Sequence, residues 1–173
     1  ATPVEPREVD ADLVISTHGH QDHLDVDAIP SMMRCPRLRF AGAADCRAGY
    51  EQAGVPASRV TLLKEGQTLD CGDLQVRAVY ADHGESTPDA LGIVLTVGDI
   101  RVWQVGDSAY RPERWGEVIA MGIDVLVAPI NGAFGNLEVA PGQWDSAALV
   151  EEPHVEIALF SWFNPDPITG DFA

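Results

Sequence analysis

Six residues carry three of the five histidines in this chain. The stretch reads Ser-Thr-His-Gly-His-Gln-Asp-His-Leu-Asp over 16–25, so His18, His20 and His23 stand together with Asp22 and Asp25. On extended backbone, side chains two residues apart point to the same side. His18 and His20 therefore face one way, and a turn after them brings Asp22 and His23 round to the same volume. Imidazole and carboxylate groups in that arrangement suit zinc, manganese or iron. The stretch holds no thiolate, which speaks against a structural cysteine-type zinc site. The plain alternative is a solvated polar loop, but three histidines and an aspartate at this spacing outweigh it.

The elements that must position these groups follow from the pattern of apolar residues. Residues 10–17 read as a buried strand running into the histidines. Residues 26–35 predict a short helix with Pro30 in its first turn. A strand is expected over 38–42, then a helix over 43–54 that stops at Gly54. Two or three strands fit 59–82, with turns at Glu65-Gly66 and Cys71-Gly72. A hairpin around Gly98-Asp99 fits 90–107. A helix over 112–122 opens at Pro112, and a buried strand follows at 123–130. A helix over 140–152 and a last strand over 154–163 close the chain. Strands alternate with helices at both ends around a middle of hairpins, which predicts packed sheets with helices outside.

Composition narrows the function. The chain has 173 residues, 46% hydrophobic and 22% charged, which suits one domain with a real core, spanning 1–173. Its 27 acidic residues against 11 basic ones leave a formal charge of −16. Nucleic-acid binding rests on phosphate neutralisation by Lys and Arg, so nucleic acid and anionic membranes are poor partners. A small-molecule substrate is the expectation. No apolar run approaches the roughly 18 residues of a membrane span, and residues 1–12 lack the apolar core of a signal peptide. Cys35, Cys46 and Cys71 are odd in number and scattered, which fits reduced cytoplasmic thiols packed as small hydrophobes.

The motif His18-x-His20-x-Asp22-His23 resembles the signature of the metallo-β-lactamase superfamily. The likeness continues through "YADHGES", "VWQVGDSAY" and "INGAFGN", wording close to the L-ascorbate-6-phosphate lactonase-like metal-dependent hydrolases. It implies an α/β fold, the αββα sandwich, with two adjacent metal positions. His18, His20 and His83 would hold the first ion, Asp22 and His23 the second, and Asp107 would bridge them. One or two ions, zinc or manganese, would activate a water as nucleophile. Asp22 would be the catalytic group that orients the water and passes its proton to the leaving group.

The chain departs from that pattern twice. Where the family has a last histidine ligand at the end of the final strand, this chain has Phe160 or Ser161. His154 lies roughly 20 Å away along the same strand at about 3.3 Å per residue. The strands that precede the histidine motif in the family are also missing. An open sheet edge then predicts reduced stability or association into a homo-oligomer. The leading expectation is a metal-dependent hydrolase of a lactone or ester, with a phosphorylated sugar acid as one candidate substrate. A phosphodiesterase of the same fold and a degenerate, non-catalytic binding remnant are the alternatives. Arg111 and Arg114 read as helix-surface charge rather than phosphate ligands. Trp103 reads as core, Phe134, Trp162 and Phe163 as packing, Asn131 and Gly132 as residues that shape a loop over the site, and Asn136 as a weaker candidate for a substrate contact.

Overall fold

In the computed structural model, residues 5–129 are described together with the backbone of Glu138–Ala140, Gln143–Trp144 and Ile157–Ser161. Three parallel strands form the first sheet: β1 (Leu13–Ser16), β2 (Arg39–Gly42) and β3 (Val60–Leu62), in the order β1-β2-β3. The second sheet has six strands. These are β4 (Thr68–Asp70), β5 (Leu74–Tyr80), β6 (Leu91–Val97), β7 (Ile100–Gln104), β8 (Val125–Pro129) and β11 (Ile157–Ser161). Their order is β11-β8-β7-β6-β5-β4. The pairings from β4 to β7 are antiparallel, while β7, β8 and β11 run parallel. The hairpin between β6 and β7 turns at Gly98, whose φ of 59° is a left-handed conformation that favours glycine.

Side-chain alternation along β5 and β6 builds two apolar layers. Val76, Ala78, Leu91 and Ile93 face Phe40 and Ala41 of β2 and belong to the core between the sheets. Val79 and Val94 face the other way and pack with Trp103, Trp115 and Leu126. Helix α2 (Cys46–Gln52) packs on the first sheet, where Tyr50 stands 5.5 Å ring to ring from Phe40 and its hydroxyl donates to the Ala41 carbonyl. Helix α3 (Gly116–Ala120) covers the second sheet through Trp115, which meets Trp103 edge to face at 5.3 Å. The layers are helix, sheet, sheet, helix, which is the α/β sandwich expected from the sequence.

Local expectations were met unevenly. Helix α1 (Ile29–Met32) fills only the middle of 26–35, with Pro30 in its first turn. The helix over 112–122 breaks at Trp115 into a 3-10 turn (Pro112–Arg114) and α3. Trp115 is fully buried and donates its indole N–H to the Tyr80 carbonyl, so tertiary anchoring overrides helix continuity there. The helix over 140–152 is corrected at its start: β10 (Gln143–Trp144) pairs antiparallel with β9 (Glu138–Ala140). Pro141-Gly142, a turn-forming pair in the sequence, stands between them. Trp103 is core as expected, whereas Cys71 is exposed at the turn after β4 rather than packed. Asn131, Gly132, Phe134, Asn136, His154, Trp162 and Phe163 lie outside the described residues.

Candidate metal centre

Three loops meet where β1, β5 and β7 end. The loop after β1 carries His18, His20, Asp22 and His23; the loop after β5 carries His83; the loop after β7 carries Asp107. Backbone bonds tie the first loop in place: the Leu91 N–H donates to the Thr17 carbonyl and the Ala43 N–H to the Ser16 carbonyl. The Asp45 carboxylate accepts the Gly19 N–H at 3.0 Å. Gly106 has φ 73°, and a Cβ there would meet the Leu91 carbonyl oxygen at 2.8 Å. Glycine is what lets the Asp107 loop approach β6 this closely.

The three-histidine group expected for a first ion comes together. His18 Nε2 lies 3.0 Å from His20 Nδ1, and His83 Nε2 lies 3.2 Å from the same nitrogen. Zinc–nitrogen bonds of about 2.0–2.1 Å imply nitrogen–nitrogen edges of roughly 3.3 Å in a tetrahedron, so the spacing suits such an ion. Hydrogen bonding alone serves the cluster poorly. His20 Nδ1 faces two neighbours and has either one proton or one lone pair to offer them. A cation would satisfy all three nitrogens at once.

A second group forms beside it. The ligand atoms of His18, His23 and Asp107 lie within 4.8 Å of one another, as do those of His18, His20 and His83. Asp107 Oδ2 stands 3.5 Å from His23 Nε2 and 3.8 Å from His83 Nε2, between the two groups. Asp22 belongs to neither group; its Oδ2 is 3.6 Å from His23 Nε2 and its side chain is 39% exposed. It stands at the mouth of the centre. Where a last histidine was missed, Phe160 and Ser161 end β11 in register with Ala128 and Pro129.

Protonation favours ligation, since a metal takes the neutral imidazole. Burial, with the adjacent His23 and His83, pushes the pKa of His18 down to about 3. His83 is also lowered, mainly by burial, against the pull of Asp107. For His23, burial lowers the pKa, but the hydrogen bond and charge of Asp107 and the charge of Asp22 outweigh it and raise the group overall.

Residues beside the ligands complete the geometry, and reading the sequence missed them. Thr17 Oγ1 lies 3.1 Å from His18 Nδ1 and 3.0 Å from His23 Nδ1. Asp82 joins two ligand loops: its N–H donates to Ser108 Oγ, and its carbonyl accepts the Ala109 N–H. Its carboxylate accepts Arg111 Nε at 2.7 Å. Arg111 is therefore a strut between loops, neither helix-surface charge nor a free phosphate ligand. Arg114 stacks over Tyr80 at 4.0 Å and pairs with Glu65. The available signal was position alone, because Thr17, Asp82 and Ser108 each adjoin a candidate ligand in the sequence.

Comparison with known proteins agrees with this architecture. The family model of the beta-lactamase superfamily domain matches residues 1–156, and the chain belongs to that family. Among its relatives is a UPF0173 metal-dependent hydrolase of Halorubrum lacusprofundi, 32% identical over 113 residues that cover 61% of this chain and 44% of that protein. A protein of Salmonella heidelberg named probable L-ascorbate-6-phosphate lactonase UlaG is 31% identical over 81 residues, covering 46% of this chain and 22% of its own length. The solved structure of Igni18, a metallo hydrolase from Ignicoccus hospitalis, aligns with a TM-score of 0.66 at 20% identity, covering 88% of this chain and 64% of that one. YhfI from Bacillus subtilis aligns at 0.64 and 19% identity, covering 87% and 63%. The chain spans 44%, 57% and 60% of three of the curated relatives it matches.

Proposed function

We propose that this chain carries the metal centre of a metal-dependent hydrolase. The observation that carries the reading is the convergence of His18 Nε2 and His83 Nε2 on His20 Nδ1, at 3.0 and 3.2 Å. These three residues would hold one divalent ion, zinc or manganese. Asp107, with His23 and Asp22, would flank a second position that lacks the family's last histidine. A bound ion supplies Lewis acidity, which lowers the pKa of water and polarises a carbonyl or phosphoryl oxygen. Asp107 would fix the spacing between the two groups. Asp22, the more exposed of the two carboxylates, would orient a water and carry a proton toward a leaving group.

The substrate class is a lactone or ester of a small molecule. The likeness to the lactonase-named relative supports this class, and the chain's formal charge of −16 disfavours nucleic acid. The engagement of Arg111 with Asp82 and of Arg114 with Glu65 argues against either arginine as a phosphate clamp. The test is a panel of small lactones, aryl esters and a generic phosphodiester, assayed with zinc or manganese and again with chelator. Chelator-sensitive turnover of lactone or ester, lost in Asp22→Asn, is the expected result. Turnover of the phosphodiester alone would replace the substrate class, and no metal-dependent turnover on any of them would contradict the enzyme reading.

A further inference from the structure

We propose that Thr17 is a positioning residue whose single hydroxyl oxygen accepts the Nδ1–H of both His18 and His23, fixing the two rings so that each turns Nε2 to the metal centre. The inference rests on the metal-centre reading above. Oγ1 lies 3.1 Å from His18 Nδ1 and 3.0 Å from His23 Nδ1. A threonine hydroxyl has one proton and two lone pairs. If it donated to one ring, that ring's own proton would sit on Nε2. For His18 this N–H would point at His20 Nδ1, 3.0 Å away, where a cation needs a lone pair. For His23, proton acceptance at Oγ1 leaves Nε2 turned toward Asp107 Oδ2 and Asp22 Oδ2. Accepting from both rings is the one arrangement that opens both Nε2 atoms to a metal. The hydroxyl proton then points away from both.

Thr17 is held well enough to act in this way. It is 7% exposed, and its carbonyl accepts the Leu91 N–H at 3.0 Å. Its Cβ and methyl both lie 3.5 Å from where a side chain at Gly106 would begin. The Asp107 loop therefore runs beside the threonine methyl at ordinary contact distance, while the Leu91 carbonyl oxygen, 2.8 Å from the same point, is what requires glycine at 106. A β-branched side chain has few χ1 choices, so the packing that fixes the methyl also aims the hydroxyl. One residue thus joins the first histidine loop, the start of β6 and the loop of Asp107. Hydrogen bonds to the second nitrogen of a ligating histidine fix its tautomer and orientation, and their loss costs about 10–100-fold in metal affinity.

The test uses the full chain, labelled with ring-15N histidine, and its Thr17→Val and Thr17→Ser variants. Nitrogen spectra of the metal-free wild type read the tautomer of His18 directly, and chelator competition reads the zinc dissociation constant. We expect His18 as the Nδ1–H tautomer. Thr17→Val, which keeps the shape and loses the oxygen, should weaken zinc binding about 10–100-fold. Thr17→Ser, which keeps the oxygen, should stay close to wild type. An Nε2–H tautomer at His18, or zinc binding by Thr17→Val as tight as wild type, overturns the proposal. If Thr17→Val does not fold, the wild-type tautomer and the serine variant still decide it. Failure of the wild type to bind zinc or manganese would sink the metal-centre reading, while the metal-free tautomer would still judge Thr17 by itself.

Discussion

His18 concentrates what the site asks of a side chain. It is fully buried, its Nε2 meets His20, its Nδ1 meets Thr17, and its pKa is pushed down to about 3 by burial and the adjacent imidazoles. The depressed pKa makes it available as a ligand at any ordinary pH, and it has a consequence for the metal-free chain. Below its unfolded pKa near 6.5 the unfolded state binds a proton at this position that the folded state refuses. The stability contributed by neutral His18 is therefore complete above pH 6.5 and is lost as pH falls toward 3. His83, lowered in the same direction, adds to the trend; His23, raised, opposes it, its contribution being full below pH 6.5 and lost as pH rises through its folded value. Denaturant midpoints of metal-free protein between pH 4.5 and 7 should fall on acidification, and a His18→Gln variant should lose up to one proton from that slope. An unchanged slope in the variant would contradict the assignment.

At the scale of elements, the site depends on strands that end together and on bonds between their loops. Ser108 is fully buried and accepts the Asp82 N–H, while Arg111 bonds the Asp82 carboxylate. Ser108→Ala should cost about 1–2 kcal/mol, because it leaves a part-buried N–H without its partner. Arg111→Met should cost less than about 1 kcal/mol, since the pair is partly exposed and screened. Both are read by thermal or urea melts of metal-free protein. On the far face of the second sheet, Trp115→Ala should cost about 3–5 kcal/mol by emptying the space against Trp103 and Tyr110. Sequence pattern was a good guide where one rule dominated. The strands of the second sheet and the turns at Gly66, Gly72 and Gly98 were legible from alternation and glycine. It failed where distant contacts decide: Trp115 splits a helix because Tyr80 and Trp103 hold it. The same holds for the site. The candidate ligands His18, His20 and His23 were legible because histidine is rare and crowded there, and His83 and Asp107 stood out only through the family resemblance, whereas Thr17, Asp82 and Ser108 are common residues whose roles arise from partners far along the chain.

The whole molecule sets the context for that site. Two sheets bring one loop from the first and two from the second to a common point, which no single element could do. The described residues include no helix long and apolar enough to cross a membrane. The chain covers about half the length of several curated relatives, and the two candidate ligand groups that share His18 make stoichiometry the informative quantity. The most direct test of the account is metal content per chain, measured by elemental analysis on tag-free protein purified without chelator, alongside His18→Ala. His18 adjoins both ligand groups, so the account predicts zinc or manganese at one equivalent or more in the wild type and loss of that metal in the variant. A wild-type chain that holds neither ion, even after reconstitution with each, would contradict it.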